Sequence, residues 1–387
     1  MSGTVGCLSA LPPFVYVGRV NCVTGYGQAA RLQVHALRKH GMRLQIADAG
    51  STADPDPERA SPFVQACLRD DDLRGASPVG SIIHLSPNCA IEWLDRVPRP
   101  HILVSVWETT RLPRAWVSMV NAFDQVWCPT EWQRQVYLDS GVREDLLRVV
   151  PFALDPELYP VEGPVLPQLA ALRAEGYTVF GSMFQWSERK APRHLIGAYL
   201  QAFQHGEKVA LVIKTYEGDN PTDVSARERV EELCSRYMLS GPRPRIEVIS
   251  QRLSYDETLA FYRGVTFVSL HRGEGFGLGI AESLLLERNV IATDWSAPAE
   301  WARPHGSALY WPVPYTLESP YDMQWQQFYS IDQQWASPDI SYAAEAMAAA
   351  YRLGLDAISL PPSRALLGSL VDQVGPAAAK AIEELFS

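Results

Sequence analysis

The chain alternates short β-like runs with helical runs over most of its 387 residues. Strand patterns lie at 14–17, 43–47, 81–85, 101–106, 125–128 and 147–150. Helical patterns lie between them at 27–40, 114–122 and 131–140. The first of these has Ala30, Val34 and Leu37 at helical spacing. Such alternation predicts a parallel sheet with helices on both faces, because consecutive parallel strands need a crossover connection between them.

A proline-rich stretch divides this alternation into two series. Residues 151–167 hold five prolines and little periodicity. Strands are then predicted at 177–183, 209–213, 245–249, 266–270 and 290–293, and helices at 192–205, 226–239, 255–263 and 279–287. We therefore predict an α/β chain of two Rossmann-like, doubly wound domains, 1–160 and 161–360, facing a central cleft. Residues 361–387 are expected to pack back on the first domain as a helix, and 312–338 to be irregular.

Composition argues against several classes of partner. The formal net charge of −10 argues against a nucleic-acid partner. The sequence has no apolar run of about 18 residues, so we expect no integral membrane contact. No secretory signal is visible, and the six cysteines form no CxxC pair. This pattern favours reduced thiols in the cytoplasm over a disulfide framework or a zinc site.

The stretch from Arg272 to Glu282 is the strongest chemical signal in the chain. Two glutamates, Glu274 and Glu282, flank a glycine-rich turn that leads into a predicted helix. Glycines allow main-chain N–H groups to approach a diphosphate, and a helix N-terminus adds positive potential. The turn residues predicted to contact phosphate or sugar oxygens are Gly275, Phe276, Gly277 and Leu278.

Carboxylates on either side of such a turn can accept hydrogen bonds from sugar or ribose hydroxyls. Glu282 is expected on the first turn of the helix; taken alone, it fits equally well an acidic residue that only favours the helix dipole. A dinucleotide-binding fingerprint is the rival interpretation of the glycines. Its G-x-G-x-x-G spacing is missing here, because position 280 is Ile.

A second cluster of charge follows the first strand of the second domain. Arg189 and Lys190 precede Ala191 and Pro192, where a helix is predicted to begin. Two cations beside a helix N-terminus could stabilise a leaving nucleoside diphosphate. A solvated surface turn is the alternative interpretation.

These motifs resemble those of the family-4 retaining glycosyltransferases of GT-B fold. Glu274 and Glu282, with seven residues between them, resemble the E-x7-E motif of that family. The resemblance implies that Glu274 lies against the donor sugar, that Glu282 binds the ribose, and that Arg189 and Lys190 hold the diphosphate. Ala191 departs from the family, in which Asn or Gly is commoner at this position. The loop with Gly25, Tyr26 and Gly27 is similar to the family's Ser-Gly-Tyr-Gly element, which borders the diphosphate.

Acceptor contacts are expected in the first domain. Trp107 and Glu108 follow the strand predicted at 101–106, and His84 ends the one before it. Glu108 could bind a hydroxyl or an ammonium group. A lone histidine is more often structural, which remains the alternative for His84.

The resemblance implies an enzyme that moves a hexosyl or pentosyl group with retention from a nucleoside-diphosphate sugar. The expected acceptor is a small soluble molecule of aminocyclitol or aminoglycoside type, or a saccharide, as in antibiotic or polysaccharide biosynthesis. One alternative acceptor is a lipid-linked saccharide of the cell envelope. Another possibility is a non-catalytic module that binds a nucleotide sugar. We expect a monomer or homodimer.

Metal-dependent transfer would call for a D-x-D pair at a strand end. Asp54 with Asp56 and Asp70 with Asp72 match the letters but lie in polar, loop-like stretches. We therefore expect no metal and no other cofactor.

Overall fold

The computed structural model describes residues 8–50, 61–152, 154–216, 223–237, 242–303, 309–321, 326–354 and 362–387. Contacts divide the chain into two units. The first comprises Met1–Asp155 with Leu366–Ser387, and the second comprises Pro156–Ala365. Each unit contains one six-stranded sheet whose strands are all parallel. The chain therefore has the α/β architecture that its alternation predicts.

The first unit has its strands in the order β2-β1-β3-β4-β5-β6. Strands such as β3 and β4 are buried along their whole length, as expected for parallel strands covered on both faces. The strands are β1 (Phe14–Gly18), β2 (Leu44–Asp48), β3 (Ser81–His84), β4 (His101–Val104), β5 (Gln125–Cys128) and β6 (Leu147–Val149). The helices are α1 (Gly25–Lys39), α2 (Pro62–Leu68), α3 (Pro87–Ala90), α4 (Arg114–Val120) and α5 (Glu131–Asp139).

The second unit has the order β12-β11-β10-β7-β8-β9. Its core is rich in aromatic side chains, with Phe180, Tyr199 and Phe203 packed together. The strands are β7 (Thr178–Gln185), β8 (Val209–Tyr216), β9 (Arg245–Ile249), β10 (Thr266–Ser269), β11 (Val290–Thr293) and β12 (Tyr310–Val313). The helices are α6 (Pro167–Ala174), α7 (Pro192–Ala202), α8 (Asp223–Tyr237), α9 (Tyr255–Arg263), α10 (Leu278–Leu285), α11 (Ala297–Ala302) and α12 (Ile340–Arg352).

The last helix, α13 (Pro362–Phe386), joins the first unit from residue 366 onward. Gln125 Nε2 donates a 2.8 Å hydrogen bond to the carbonyl of Ala381. The rings of Phe14 and Phe386 meet edge to face at 6.4 Å. The first unit is thus built from two segments of the chain.

The prediction of irregular structure at 312–338 is wrong in part. β12 extends the second sheet, and β13 (Tyr315–Glu318) pairs with β14 (Trp335–Pro338) as an antiparallel hairpin. Pro312 and Pro338 argue against strands when the sequence is considered alone, because proline cannot donate a hydrogen bond to a neighbouring strand. Proline is tolerated in them because β12 is an edge strand and Pro338 ends its own strand.

Both sheets reverse their strand order once, and this reversal decides where loops converge. In the second sheet the chain moves from β7 to β8 and β9, then returns to place β10 on the other side of β7. The loops that follow β7 and β10 leave neighbouring strands in opposite directions. The space between such loops is where open α/β sheets bind ligands. The first sheet has the same reversal between β1 and β3.

Candidate functional site

Two charged segments meet at the strand reversal of the second sheet. Residues 186–191, the basic turn, follow β7 and contain a short 3-10 helix over Glu188–Lys190. Residues 270–277, the glycine loop, follow β10 and lead into α10. The Arg272 N–H donates a 2.7 Å hydrogen bond to the carbonyl of Arg189, which joins the two segments directly.

The three residues predicted to be catalytic lie together in this place. Lys190 Nζ forms an ion pair with Glu274 Oε1. A guanidinium nitrogen of Arg189 lies 3.5 Å from Glu274 Oε2 and donates a 2.8 Å hydrogen bond to the Gly273 carbonyl. Two cations and one anion leave a net positive charge in the cluster. That balance suits an anionic group such as a diphosphate.

Glu274 is ionised in this cluster. Burial raises the pKa of its carboxyl, but the charges of Lys190 and Arg189 outweigh burial and lower the pKa to about 2. Only 14% of the side chain is exposed. A buried carboxylate held between cations has a defined position, which a group that orients a sugar requires.

The basic turn ends on a residue in a left-handed conformation. Ala191 has φ 50° and ψ 51° and is fully buried where α7 begins. Asn and Gly adopt this region most readily, while alanine pays a steric cost of about 1 kcal/mol. The conformation explains why Asn or Gly suits this position, and the backbone here retains it with Ala.

The glycine loop turns sharply into α10. Gly277 has φ 87°, and a Cβ there would lie 2.6 Å from Pro298 Cγ, so no larger residue fits. Phe276 is buried, its ring stacks on Trp301 at 5.4 Å, and its carbonyl accepts a 3.0 Å hydrogen bond from the Trp301 indole. The Phe276 ring thus anchors the loop. The predicted ligand contacts of Gly275, Phe276, Gly277 and Leu278 remain predictions.

Glu282 lies deeper than the sequence suggested. It is the fifth residue of α10, on the second turn instead of the first, and only 4% of it is exposed. The Tyr159 hydroxyl donates a 3.2 Å hydrogen bond to its Oε1. Burial, followed by the charge of Glu282, raises the pKa of Tyr262 well above its usual range. Two tyrosines therefore surround this carboxylate, and a ribose reaching it would join or displace them.

The first turn of α1 packs closely against the main chain of the loop that precedes it. The Thr24 Oγ1 accepts a 3.1 Å hydrogen bond from the Gly27 N–H and caps the helix. A Cβ on Gly27 would lie 2.0 Å from the Cys22 carbonyl oxygen, so only glycine fits. Gly25 is exposed and has open space beside it.

Tyr26, His84 and Glu108 form one neighbourhood in the first unit. The rings of Tyr26 and His84 are 6.0 Å apart. Burial, followed by the charge of Glu108, raises the pKa of Tyr26 to about 12. Glu108 itself is half-buried. The three residues come together because His84 ends β3, while the segments that hold Tyr26 and Glu108 follow β1 and β4, the two neighbours of β3 in the sheet.

His84 and Trp107 are buried in the first unit, and their acceptor contacts remain predictions. His84 is 1% exposed, its Nδ1 lies 2.7 Å from the Tyr16 hydroxyl, and burial lowers its pKa to about 3. The Trp107 ring is buried, packs 4.9 Å from Trp116, and donates a 2.7 Å hydrogen bond to Thr109 Oγ1. Of the three predicted acceptor residues, Glu108 is the most exposed to solvent.

Sequence reasoning missed Ser296. Its hydroxyl oxygen accepts a 3.0 Å hydrogen bond from the Glu274 N–H. Ser296 has φ 64° and ψ −162°, a region almost reserved for glycine. Such strain persists only where surrounding structure enforces it, and here it supports the main chain of Glu274. No local sequence pattern predicts this contact of Ser296, because its partner Glu274 lies 22 positions earlier.

Asp70 and Asp72 have structural partners. Asp70 Oδ1 accepts a 2.7 Å hydrogen bond from the Ile46 N–H, and Asp72 Oδ1 a 2.8 Å one from the Arg74 N–H. Asp54 and Asp56 lie outside the described residues. Within the described ranges, no three His, Cys, Asp or Glu side chains are grouped to hold a metal ion. Metal independence stays a prediction.

Within the same described ranges, no helix combines the length and the apolar character needed to cross a bilayer.

Several solved structures are similar to this chain. A sucrose-phosphate synthase from Thermosynechococcus elongatus matches with a TM-score of 0.64 at 15% identity, over 97% of this chain and 99% of that one. Anabaena HepE in complex with UDP and glucose matches with a TM-score of 0.61 at 12% identity, over 97% and 100%. A UDP-forming trehalose-phosphate synthase from Burkholderia xenovorans matches with a TM-score of 0.61 at 15% identity, over 97% and 100%.

No protein-family model matches the sequence, and no curated protein matches it in sequence. Identities of 12–15% establish the fold alone. The predicted GT-B fold with two parallel α/β sheets is thereby confirmed. Membership of family 4 and the roles of individual residues remain predictions.

Proposed function

We propose that the protein is a retaining glycosyltransferase that transfers a sugar from a nucleoside diphosphate to a hydroxyl of a small soluble acceptor. One observation carries the proposal: Arg189, Lys190 and Glu274 converge where the second sheet reverses its strand order. Glu274 lies 84 positions after Lys190 in the sequence. Their convergence at the usual ligand position of an open α/β sheet is what a donor site requires.

Each residue of the cluster has a chemical task in this proposal. Arg189 and Lys190 stabilise the negative charge that grows on the leaving diphosphate. Glu274, ionised and held in place, accepts hydrogen bonds from hydroxyls of the donor sugar. In the front-face scheme, the acceptor oxygen bonds to the anomeric carbon while the bond to the phosphate oxygen breaks. The acceptor proton passes to that phosphate oxygen, and retention follows.

UDP is the first nucleotide to test. Anabaena HepE was solved with UDP and glucose, and a trehalose-6-phosphate enzyme from E. coli was solved with UDP-2-fluoro glucose. For the acceptor we favour an aminocyclitol or saccharide, because the half-buried carboxylate of Glu108 suits a hydroxyl or an ammonium group.

Nucleotide binding is tested by thermal shift with UDP, GDP, dTDP and ADP. A nucleotide at a hundredfold excess over its Kd should stabilise the fold by about 2.7 kcal/mol, and one of the four should exceed the others. If none of the four raises the melting temperature, the proposed donor site is wrong.

Activity is tested with the matching nucleotide sugar. Release of nucleoside diphosphate, with and without acceptors, should occur in the wild type and fall by about 10²–10³ in Glu274→Ala. Glu345→Ala, on the exposed face of α12, is the control and should retain full activity. Binding without turnover in the wild type would favour a non-catalytic module.

A further inference from the structure

We propose that Arg272 is a positioning residue that clamps the hairpin β13–β14 onto the glycine loop and thereby holds Arg189 and Glu274 at their working distance. The inference rests on the proposed function for what the cluster does. The clamp itself stands on contacts that are independent of any ligand.

Arg272 is an unusual residue to find in an interior. Its side chain is completely buried, although arginine is rarely buried unless its charge is paired. One nitrogen of the guanidinium forms an ion pair with Glu318, and the other donates to the Tyr321 hydroxyl. The guanidinium carbon also lies 5.0 Å from the centre of the Trp335 ring. A planar, forked cation satisfies these partners together, which lysine could not.

The hairpin presents these partners as a unit. Glu318 on β13 and Trp335 on β14 are directly opposite each other in the antiparallel pair. Side chains of such a pair project from the same face of the sheet. Tyr321 lies just beyond β13, with its ring 5.6 Å from Trp335. The hairpin thus offers one acid and two aromatic rings to a single cation.

The main chain of Arg272 connects the hairpin to the basic turn. Its N–H donates to the Arg189 carbonyl at 2.7 Å, and its carbonyl accepts from the Ala336 N–H at 2.8 Å. The Arg189 side chain returns to the Gly273 carbonyl at 2.8 Å. Arg272 is therefore bonded to the hairpin by both side chain and main chain, and it sets the position of the turn that carries Arg189.

A neighbouring histidine fits the same arrangement. Burial, followed by the charges of Arg272 and Arg193, lowers the pKa of His194 to about 4. The ring is neutral near pH 7, so its Nδ1 can face the Arg272 guanidinium at 3.5 Å without charge repulsion. His194 therefore adds no positive charge beside Arg272.

The test loosens the clamp without touching the cluster. Glu318→Gln removes the anion, and Tyr321→Phe removes only the hydroxyl; both side chains are partly exposed, so the fold should tolerate the changes. Ile331→Ala is the control, because Ile331 lies in the same connection and is 90% exposed. Hydrogen–deuterium exchange with mass spectrometry, kcat, donor KM and melting temperature are measured for each.

Both clamp variants should exchange faster at 187–192 and 270–275. Tyr321→Phe should melt close to the wild type, while Glu318→Gln should melt lower but still cooperatively, because it leaves the buried Arg272 cation without its acidic partner. Their kcat should fall by about tenfold to a hundredfold, with donor KM changed less than about threefold, because misplacement of the charges affects the transition state most. Ile331→Ala should leave the exchange rates, the melting temperature, kcat and donor KM unchanged.

Unchanged exchange in both variants would overturn the clamp whatever the enzyme does. Faster exchange with unchanged kcat would overturn the positioning role. A wild type that turns over no nucleotide sugar would refute the proposed function and, with it, the catalytic purpose of Arg272. The exchange measurement would still decide separately whether the clamp exists.

Discussion

Glu274 is a buried carboxylate that remains ionised between two cations. Buried carboxyls tend to become neutral, yet this one stays ionised because Lys190 and Arg189 face it. Its charge therefore stabilises the fold, and in the proposed function it also orients the donor sugar. Lys190 and Arg189 both pair with Glu274. In the proposed function a bound diphosphate would share these two cations with the glutamate.

The pH dependence of stability should reveal this charge. The folded-state pKa of Glu274, about 2, lies below its ordinary value of 4.5. The ionised carboxylate thus stabilises the fold above pH 4.5, and this stabilisation is lost as the pH falls through about 2. At neutral pH we expect Glu274→Gln to be less stable by about 3 kcal/mol, since each unit of pKa difference corresponds to about 1.4 kcal/mol. The gap should close in acid.

Melting temperatures of both proteins between pH 7 and pH 2 would check this. Glu345→Gln serves as the matched control, because Glu345 is exposed on α12. A gap for Glu274→Gln that stays constant with pH would contradict the assignment of its low pKa.

At the scale of the element, α9 links the start of the second unit to its site. Arg263, its last residue, donates hydrogen bonds of 3.1 and 2.8 Å to the Pro160 carbonyl. Tyr262, one residue earlier, lies beside Glu282. The helix begins with a capping box: Ser254 Oγ accepts from the Glu257 N–H at 3.1 Å, and Glu257 Oε2 accepts from the Ser254 N–H at 2.8 Å.

Removal of this cap should weaken the second unit. We expect Ser254→Ala to lower the free energy of unfolding by about 1 kcal/mol, because the N-terminal N–H groups of α9 lose a partner. Chemical denaturation followed by tryptophan fluorescence measures the change. Ser235→Ala, on the exposed face of α8, should change stability by less than about 0.5 kcal/mol. Equal effects of the two substitutions would rule out a stabilising role for the capping box.

At the scale of the whole molecule, the first unit depends on residues from both ends of the chain. Gln125 and Ala381 are hydrogen-bonded across 256 positions of sequence. Helix α13 also approaches α1 closely, since a Cβ on Gly375 would lie 2.3 Å from the His40 ring. Arg148 pairs with Glu384 at 2.5 Å. The C-terminal helix therefore packs on the unit that contains the N-terminal half of the chain, although the second unit lies between them in the sequence.

Substitutions on α13 should therefore destabilise the first unit. Ile382 is fully buried, and Ile382→Ala should cost about 2–5 kcal/mol through lost burial and the cavity left behind. Glu383→Ala, at the next and exposed position, should have little effect. Calorimetry with and without nucleotide would assign the change: the nucleotide-stabilised transition should keep its midpoint in Ile382→Ala. A shift of that transition instead would place α13 against the second unit.

Local patterns determined much of this protein. The hydrophobic pattern of each segment predicts whether it forms a strand or a helix. Buried parallel strands need continuous apolar runs, and the helices that cover them need one apolar face. The glycine loop and the basic turn were also recognisable, since glycines and paired charges act over a few neighbouring residues. From these, the α/β class and the residues of the cluster followed.

Tertiary structure alone decided the rest. The Tyr159 hydroxyl lies against Glu282 across 123 positions, and Arg272 meets Glu318 across 46. Neither pairing leaves a local pattern, because a hydrogen bond depends on distance in space and not on separation along the chain. The burial of His84 beside Tyr16 likewise depends on the pairing of β1 with β3. Sequence determined which elements form and which groups are present; packing decided which groups are buried, which are paired and which remain able to meet a ligand.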